Sequence, residues 1–206
     1  MANSNPPGTL FISATAGGYG NTNWYFDGAG YPTTNGNYNW IGTDAEEGVT
    51  NADPMASIYG SINTHYPNYI ATATNVAGYW TAGWDGGLGD TTMFVDGKVR
   101  FFGNSGWYIM ATVDSFNGQR ITGQANYLTW FATNALGGTN YSNTPVGGIT
   151  HVDEPLVYAD DVYDYYGNWA SGKCFAICAW AGQIGTYPNG ITDSFFQAVG
   201  DPFVRK

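Results

Sequence analysis

The sequence predicts an α/β fold: a mixed, mostly buried sheet flanked by helices, with a β-rich, loop-rich N-terminal extension. Three observations carry that expectation. From residue 69 onward, apolar strand-like runs alternate with segments of helical spacing, the order that builds a sheet with helices on its faces. Trp, Tyr and Phe number 8, 16 and 11 among 206 residues, enough large rings for a sizeable interior. The first fifty residues are instead rich in Gly, Asn and Thr, with turn signals in place of helical periodicity. The length fits a single domain over 1–206, made of the extension (1–50) and an α/β core (69–206).

Taken in order, residues 9–14 and 23–26 read as strands bounded by Gly and Asn. Residues 28–39 read as an ordered loop whose aromatics must pack somewhere. Asp53-Pro54 is a helix start, with Asp as the cap and Pro at the first helical position. Ile58, Tyr59 and Ile62 would then form its buried stripe, and Pro67 its end. Residues 69–82, rich in β-branched and aromatic side chains, read as strand. A Gly-rich loop follows over 83–90, and Asp96-Gly97 predicts a hairpin turn between 93–95 and 98–102. Residues 107–113 predict a strong strand, 124–136 a helix closed by Gly137, and 146–152 a buried strand. Residues 161–180 read as one helix weakened by Gly167 and Gly172, and 195–199 as a last strand.

Six Lys and Arg stand against 16 Asp and Glu, a net charge of −10. Nucleic acid is excluded as a partner, because phosphate contacts need clustered basic residues and these six are scattered. Anionic membrane surfaces are disfavoured for the same reason. No apolar run reaches the length of about 18 residues that a spanning helix needs. A polar, weakly charged surface poor in Lys and Arg suits an extracellular or cell-surface location. The opening residues carry no basic stretch followed by an apolar one, so the chain reads as a trimmed form of a longer secreted precursor. Cys174 and Cys178, four apart in the expected helix, fit neighbouring thiols on one face better than a disulfide. His65 and His151 are far away in sequence, so a zinc set lacks ligands.

Chemistry concentrates in Thr150-His151-Val152-Asp153-Glu154-Pro155, at the end of the expected buried strand, where ligand sites of α/β sheets gather. His151 beside Asp153 and Glu154 could serve as a general base; a hydrogen-bonded structural histidine is the plainer reading. Ser115 follows a strong strand, but its surroundings lack the Gly-x-Ser-x-Gly of a nucleophile elbow. Asp85 and Asp90 in the Gly-rich loop, with Asp96, and Asp160 and Asp161, with Asp164, are two acidic groups that could hold Ca²⁺. Neither has EF-hand spacing, and Asp160 and Asp161 also suit the start of the next helix. Tyr31, Tyr38, Trp40, Trp80 and Trp84 lie in or beside Gly- and Asn-rich segments, where loops could present flat rings to a partner or a sugar. Packing under their own loops competes equally.

From Gly78 onward the chain resembles a family of uncharacterised secreted bacterial proteins whose C-terminal half is similar to the α/β sheet of the caspase and gingipain group. The residues carrying this are Gly78-Tyr79-Trp80, Ser115-Phe116-Asn117-Gly118-Gln119, His151-Val152-Asp153-Glu154-Pro155, Trp169 with Gly172, Phe175-Ala176, and Val199-Gly200-Asp201-Pro202. Peptidases of that group use a His after one strand and a Cys after the next. Here the corresponding loops read Gly83-Trp84-Asp85-Gly86 and Asp114-Ser115-Phe116-Asn117, with neither. The resemblance therefore implies the fold and not the peptidase activity.

The expected function is a non-catalytic extracellular or cell-surface module acting through aromatic- and Asn-rich loops, by self-assembly into a layer or filament or by adhesion. Its expected partners are further copies of itself, or a glycan or surface protein. No cofactor is expected beyond Ca²⁺. Two alternatives stand beside it: a secreted hydrolase centred on His151, Asp153 and Glu154, and a carbohydrate-binding module using Trp80 and Trp84.

Overall fold

A computed structural model describes residues 8–13, 25–26, 32–33, 59–66, 72–81, 94–112, 116–120, 126–153, 162–183 and 196–205. The architecture is mixed α/β. Strands β1 (Gly8–Ser13), β4 (Tyr59–Tyr66), β6 (Val76–Thr81), β8 (Ile109–Thr112), β9 (Gly147–His151) and β10 (Phe196–Gly200) form one six-stranded sheet. Its order is β10-β9-β8-β6-β1-β4, parallel throughout except for β10, which runs antiparallel to β9. The first strand thus pairs on both sides, with β4 and β6. Two small pairs stand apart: β2 (Tyr25–Phe26) with β3 (Pro32–Thr33), and β5 (Thr72–Thr74) with β7 (Arg100–Phe102). Three helices complete the described residues: α1 (Tyr127–Trp130), α2 (Val162–Ala170) and α3 (Phe175–Gln183).

Asn75 separates β5 from β6 and explains how one expected strand becomes two. Its φ of 54° turns the chain, its N–H donates to Phe102 O at 3.0 Å, and its side-chain oxygen accepts Asn104 N–H. Asn tolerates this left-handed conformation better than most residues. The two faces of the large sheet are filled by rings. On one face Tyr79, Phe94, Phe101, Tyr108 and Trp130 meet edge-to-face at centroid distances of 5.2 to 6.4 Å. Burial, with Tyr79 close by, raises the Tyr108 phenol well above its usual range; its hydroxyl donates to Asn143 O at 2.8 Å. The α2 helix is tied to the sheet by two buried phenols: Tyr165 donates to Met110 O at 3.0 Å and Tyr166 to Tyr79 O at 2.6 Å.

In β9 the rings press on both sides of a glycine pair. A Cβ on Gly147 would stand 2.6 Å from the Phe175 ring, and one on Gly148 2.9 Å from the Trp130 ring. Successive strand residues face opposite ways, so Phe175 of α3 and Trp130 of α1 pack on opposite faces of the same strand. All five β9 residues are buried, as the sequence predicts.

Four local expectations are corrected. Of the helix expected to carry Ile58, Tyr59 and Ile62, the part from Tyr59 onward is strand β4 over Tyr59–Tyr66, and Ile58 lies outside the described residues. Gly60 and the β-branched Ile62 and Thr64 are poor helix formers, and parallel pairing with β1 holds them extended. The hairpin around Asp96-Gly97 is a turn without a hairpin. Asp96 accepts Lys98 N–H at 2.8 Å, Gly97 takes φ of 82°, and the following strand pairs in parallel with β5. The helix over 124–136 shrinks to the single turn of α1, capped by the Asn126 side chain on Leu128 N–H. A 3₁₀ turn over Ala135–Gly137 follows, with Leu136 at φ of 53°. The helix over 161–180 is two helices. Gly172 ends α2 at φ of 75°, and the bonds Lys173 N–H to Asn168 O and Gly172 N–H to Trp169 O form a Schellman close.

Candidate functional site

The C-terminal ends of β8 and β9 bring together the two motifs that the sequence singles out, around Asn117 and around His151. Four hydrogen bonds stitch them. Phe116 N–H donates to Asp153 O at 3.3 Å and Gly118 N–H to His151 O at 2.7 Å. The Gln119 side-chain amide donates to Val152 O at 2.8 Å, and His151 N–H donates to Asn117 Oδ1 at 2.6 Å. Asn117 is fully buried; its Nδ2 donates to Thr112 Oγ1 on β8, and its backbone carbonyl accepts Tyr127 N–H at the start of α1. One residue thereby ties β8 and β9 through its side chain and α1 through its backbone. Gly118 permits the close approach, because a Cβ there would lie 2.6 Å from Thr150 Oγ1.

His151 is only 1% exposed, and its ring lies 4.7 Å from that of Phe196 on β10. Thr150 Oγ1 donates to Gln197 O across the same strand pair at 3.1 Å. A general base must reach the proton it removes, and a side chain buried this deeply is packed away from solvent-borne substrate. Asp153 is half-buried at the rim of the junction. Its arrangement is that of a latch between strand ends.

Trp80, next to last in β6, is 1% exposed and faces the interior, which corrects its place among the partner-facing rings. Ser115, Glu154, Tyr31, Tyr38, Trp40, Trp84, Asp85, Asp90, Asp160 and Asp161 lie outside the described residues. Among the described residues, no group of three or more His, Cys, Asp or Glu could hold a metal ion. Both thiols are free, Cys178 buried and Cys174 partly exposed. Burial, reinforced by the neighbouring Cys174, pushes the Cys178 thiol up to about 12, so it carries little thiolate at neutral pH. None of the described helices is long and apolar enough to cross a membrane.

One surface escaped the sequence reading. The α3 residues Phe175, Cys178, Ala179 and Gly182 are buried, whereas Ala176, Ile177 and Trp180 form an exposed face, Trp180 at 69%. Phe203 stands beside this helix at 83% exposure. The backbone around it is anchored: Pro202 O and Val204 O accept Ala176 N–H and Phe175 N–H, the first donors of α3. Asp201 Oδ1 in turn accepts Phe203 N–H at 2.9 Å. A signal was present, since α3 reads FAICAWAGQ, apolar on every side, and one helix cannot bury every side against one sheet. Compared with family models, with curated proteins and with solved structures, the chain matches none.

Proposed function

We propose that the chain is a non-catalytic extracellular or cell-surface module that works through its surface, by self-assembly into a layer or filament. The observation that carries this reading is the outward placement of large apolar side chains: Trp180, Phe203, Ile177 and Tyr141 are half or more exposed or close to it. Exposed apolar patches of this kind mark interaction sites. The burial of His151 in a hydrogen-bonded latch favours this reading over a hydrolase centred on His151, Asp153 and Glu154. The interior position of Trp80 likewise weighs against a carbohydrate-binding module built on Trp80 and Trp84.

The test is the size of the purified protein across a range of concentrations, with and without Ca²⁺, followed by imaging of the largest species. Calcium is included because copies of net charge −10 repel one another and cations screen that repulsion. Mass that grows with concentration is expected; a strict monomer under both conditions overturns self-assembly. An activity screen on peptides and glycans addresses catalysis. No turnover is expected, and turnover that disappears in His151→Ala would restore the hydrolase.

A further inference from the structure

Charge is distributed unevenly along this chain. Residues 1–164 carry fourteen acidic and three basic side chains, a net of −11, whereas residues 165–206 carry Lys173, Arg205 and Lys206 against Asp193 and Asp201, a net of +1. The structure gathers this difference at one corner. The hydrogen bonds from Phe175 and Ala176 to Val204 and Pro202 lay the 202–204 segment along the first turn of α3. Lys173, two residues before that turn, and Arg205, one residue after Val204, are both exposed there. Between and beyond them lie Ala176, Ile177, Trp180 and Phe203. The result is an apolar face flanked by Lys173 and Arg205, with Asp201 beside Phe203 as the acidic member of the 201–205 segment, on a chain whose remaining sequence is strongly acidic.

We propose that the outer face of α3 with Phe203 docks on the acidic body of a second copy of this chain, head to tail. The inference rests on the self-assembly reading and names its surface. An apolar centre with a charged rim is how specific interfaces are built: the centre supplies the affinity and the rim the orientation. Exposed Trp is a typical anchor, and the backbone around Phe203 is already held by hydrogen bonds, so no segment must be ordered there when its ring is covered. Two identical basic-rimmed faces gain nothing electrostatic from meeting each other, whereas one such face against the acidic remainder of a neighbour does. That arrangement joins two different patches, and when its rotation does not close, it propagates as an open filament.

Sedimentation velocity on the wild type, Trp180→Ala, Phe203→Ala and the double charge reversal Lys173→Glu with Arg205→Glu tests this. All four positions are exposed, so the variants should melt with the wild type, which a thermal scan verifies. Trp180→Ala is expected to weaken association at least about tenfold, and the charge reversal to weaken it most at low salt. The wild-type mass should pass the dimer. An assembling wild type that is indifferent to these substitutions, or that stops at a dimer, overturns the proposal and leaves self-assembly standing. A wild type that stays monomeric throughout overturns both.

Discussion

Replacing Asn117 by Ala tests whether the latch between β8 and β9 holds the sheet's C-terminal end together. The substitution removes two side-chain hydrogen bonds, to Thr112 Oγ1 and from His151 N–H. The Thr112 bond contributes about 1 kcal/mol net, and the buried His151 N–H deprived of its acceptor costs about 1–3 kcal/mol. Together the loss is about 2–4 kcal/mol. For a chain of this length each kcal/mol moves Tm by roughly 2–4 °C, so the midpoint should fall by about 5–15 °C in a circular-dichroism melt. Asn117→Asp sharpens the test because it keeps an acceptor for His151 N–H. Burial raises a carboxyl's folded pKa above its unfolded value of about 3.9, because the charged form is poorly solvated. The cost of Asn117→Asp should therefore be small below pH of about 4 and grow as pH rises through the folded pKa. An Asn117→Ala protein melting within about 2 °C of the wild type would refute the latch.

Further outcomes follow from the packing and the thiols. Gly147→Ala drives a methyl into the Phe175 ring and should cost about 1–3 kcal/mol in urea unfolding; pairing it with Phe175→Leu should recover part of that loss. Trp80→Ala should cost about 3–5 kcal/mol as a core truncation, visible in the same titration. In the native protein Cys178 should resist iodoacetamide at pH 8 and react only after unfolding, as mass spectrometry of the labelled peptide would show.

The α/β class was legible because burial leaves a compositional mark. β9 is apolar and small enough to sit between two layers, and β8 is buried along its whole length. The helix boundaries were less legible. Gly172 announced a break, but only the tertiary pairing of α2 with the sheet and α3 with its edge decides that the chain stops there instead of bending. β4 was misread because its partner strand lies about fifty residues earlier in sequence, where local spacing carries no sign of it. At the site, both motifs around Asn117 and His151 were visible, and their meeting was not: the hydrogen bonds join residues 34 positions apart. The basic corner was hidden in the same way, since Lys173 and Arg205 look scattered until the bonds to Pro202 and Val204 bring them together.

The strand order also sets how the protein must fold. Each pairing in the large sheet joins segments far apart in sequence: Leu10 with Gly78, Gly78 with Ile109, Ile109 with Gly147, and Gly147 with Gly200. Each junction therefore closes a long loop before any ladder repays the lost chain entropy. A sheet assembled only from such distant partners belongs to the slow end of folding rates. Half-built intermediates would leave β6, with Val76, Tyr79 and Trp80, or β8, with Ile109 and Met110, with a bare apolar edge, so refolding at high concentration should lose protein to aggregation unless the chain is diluted first.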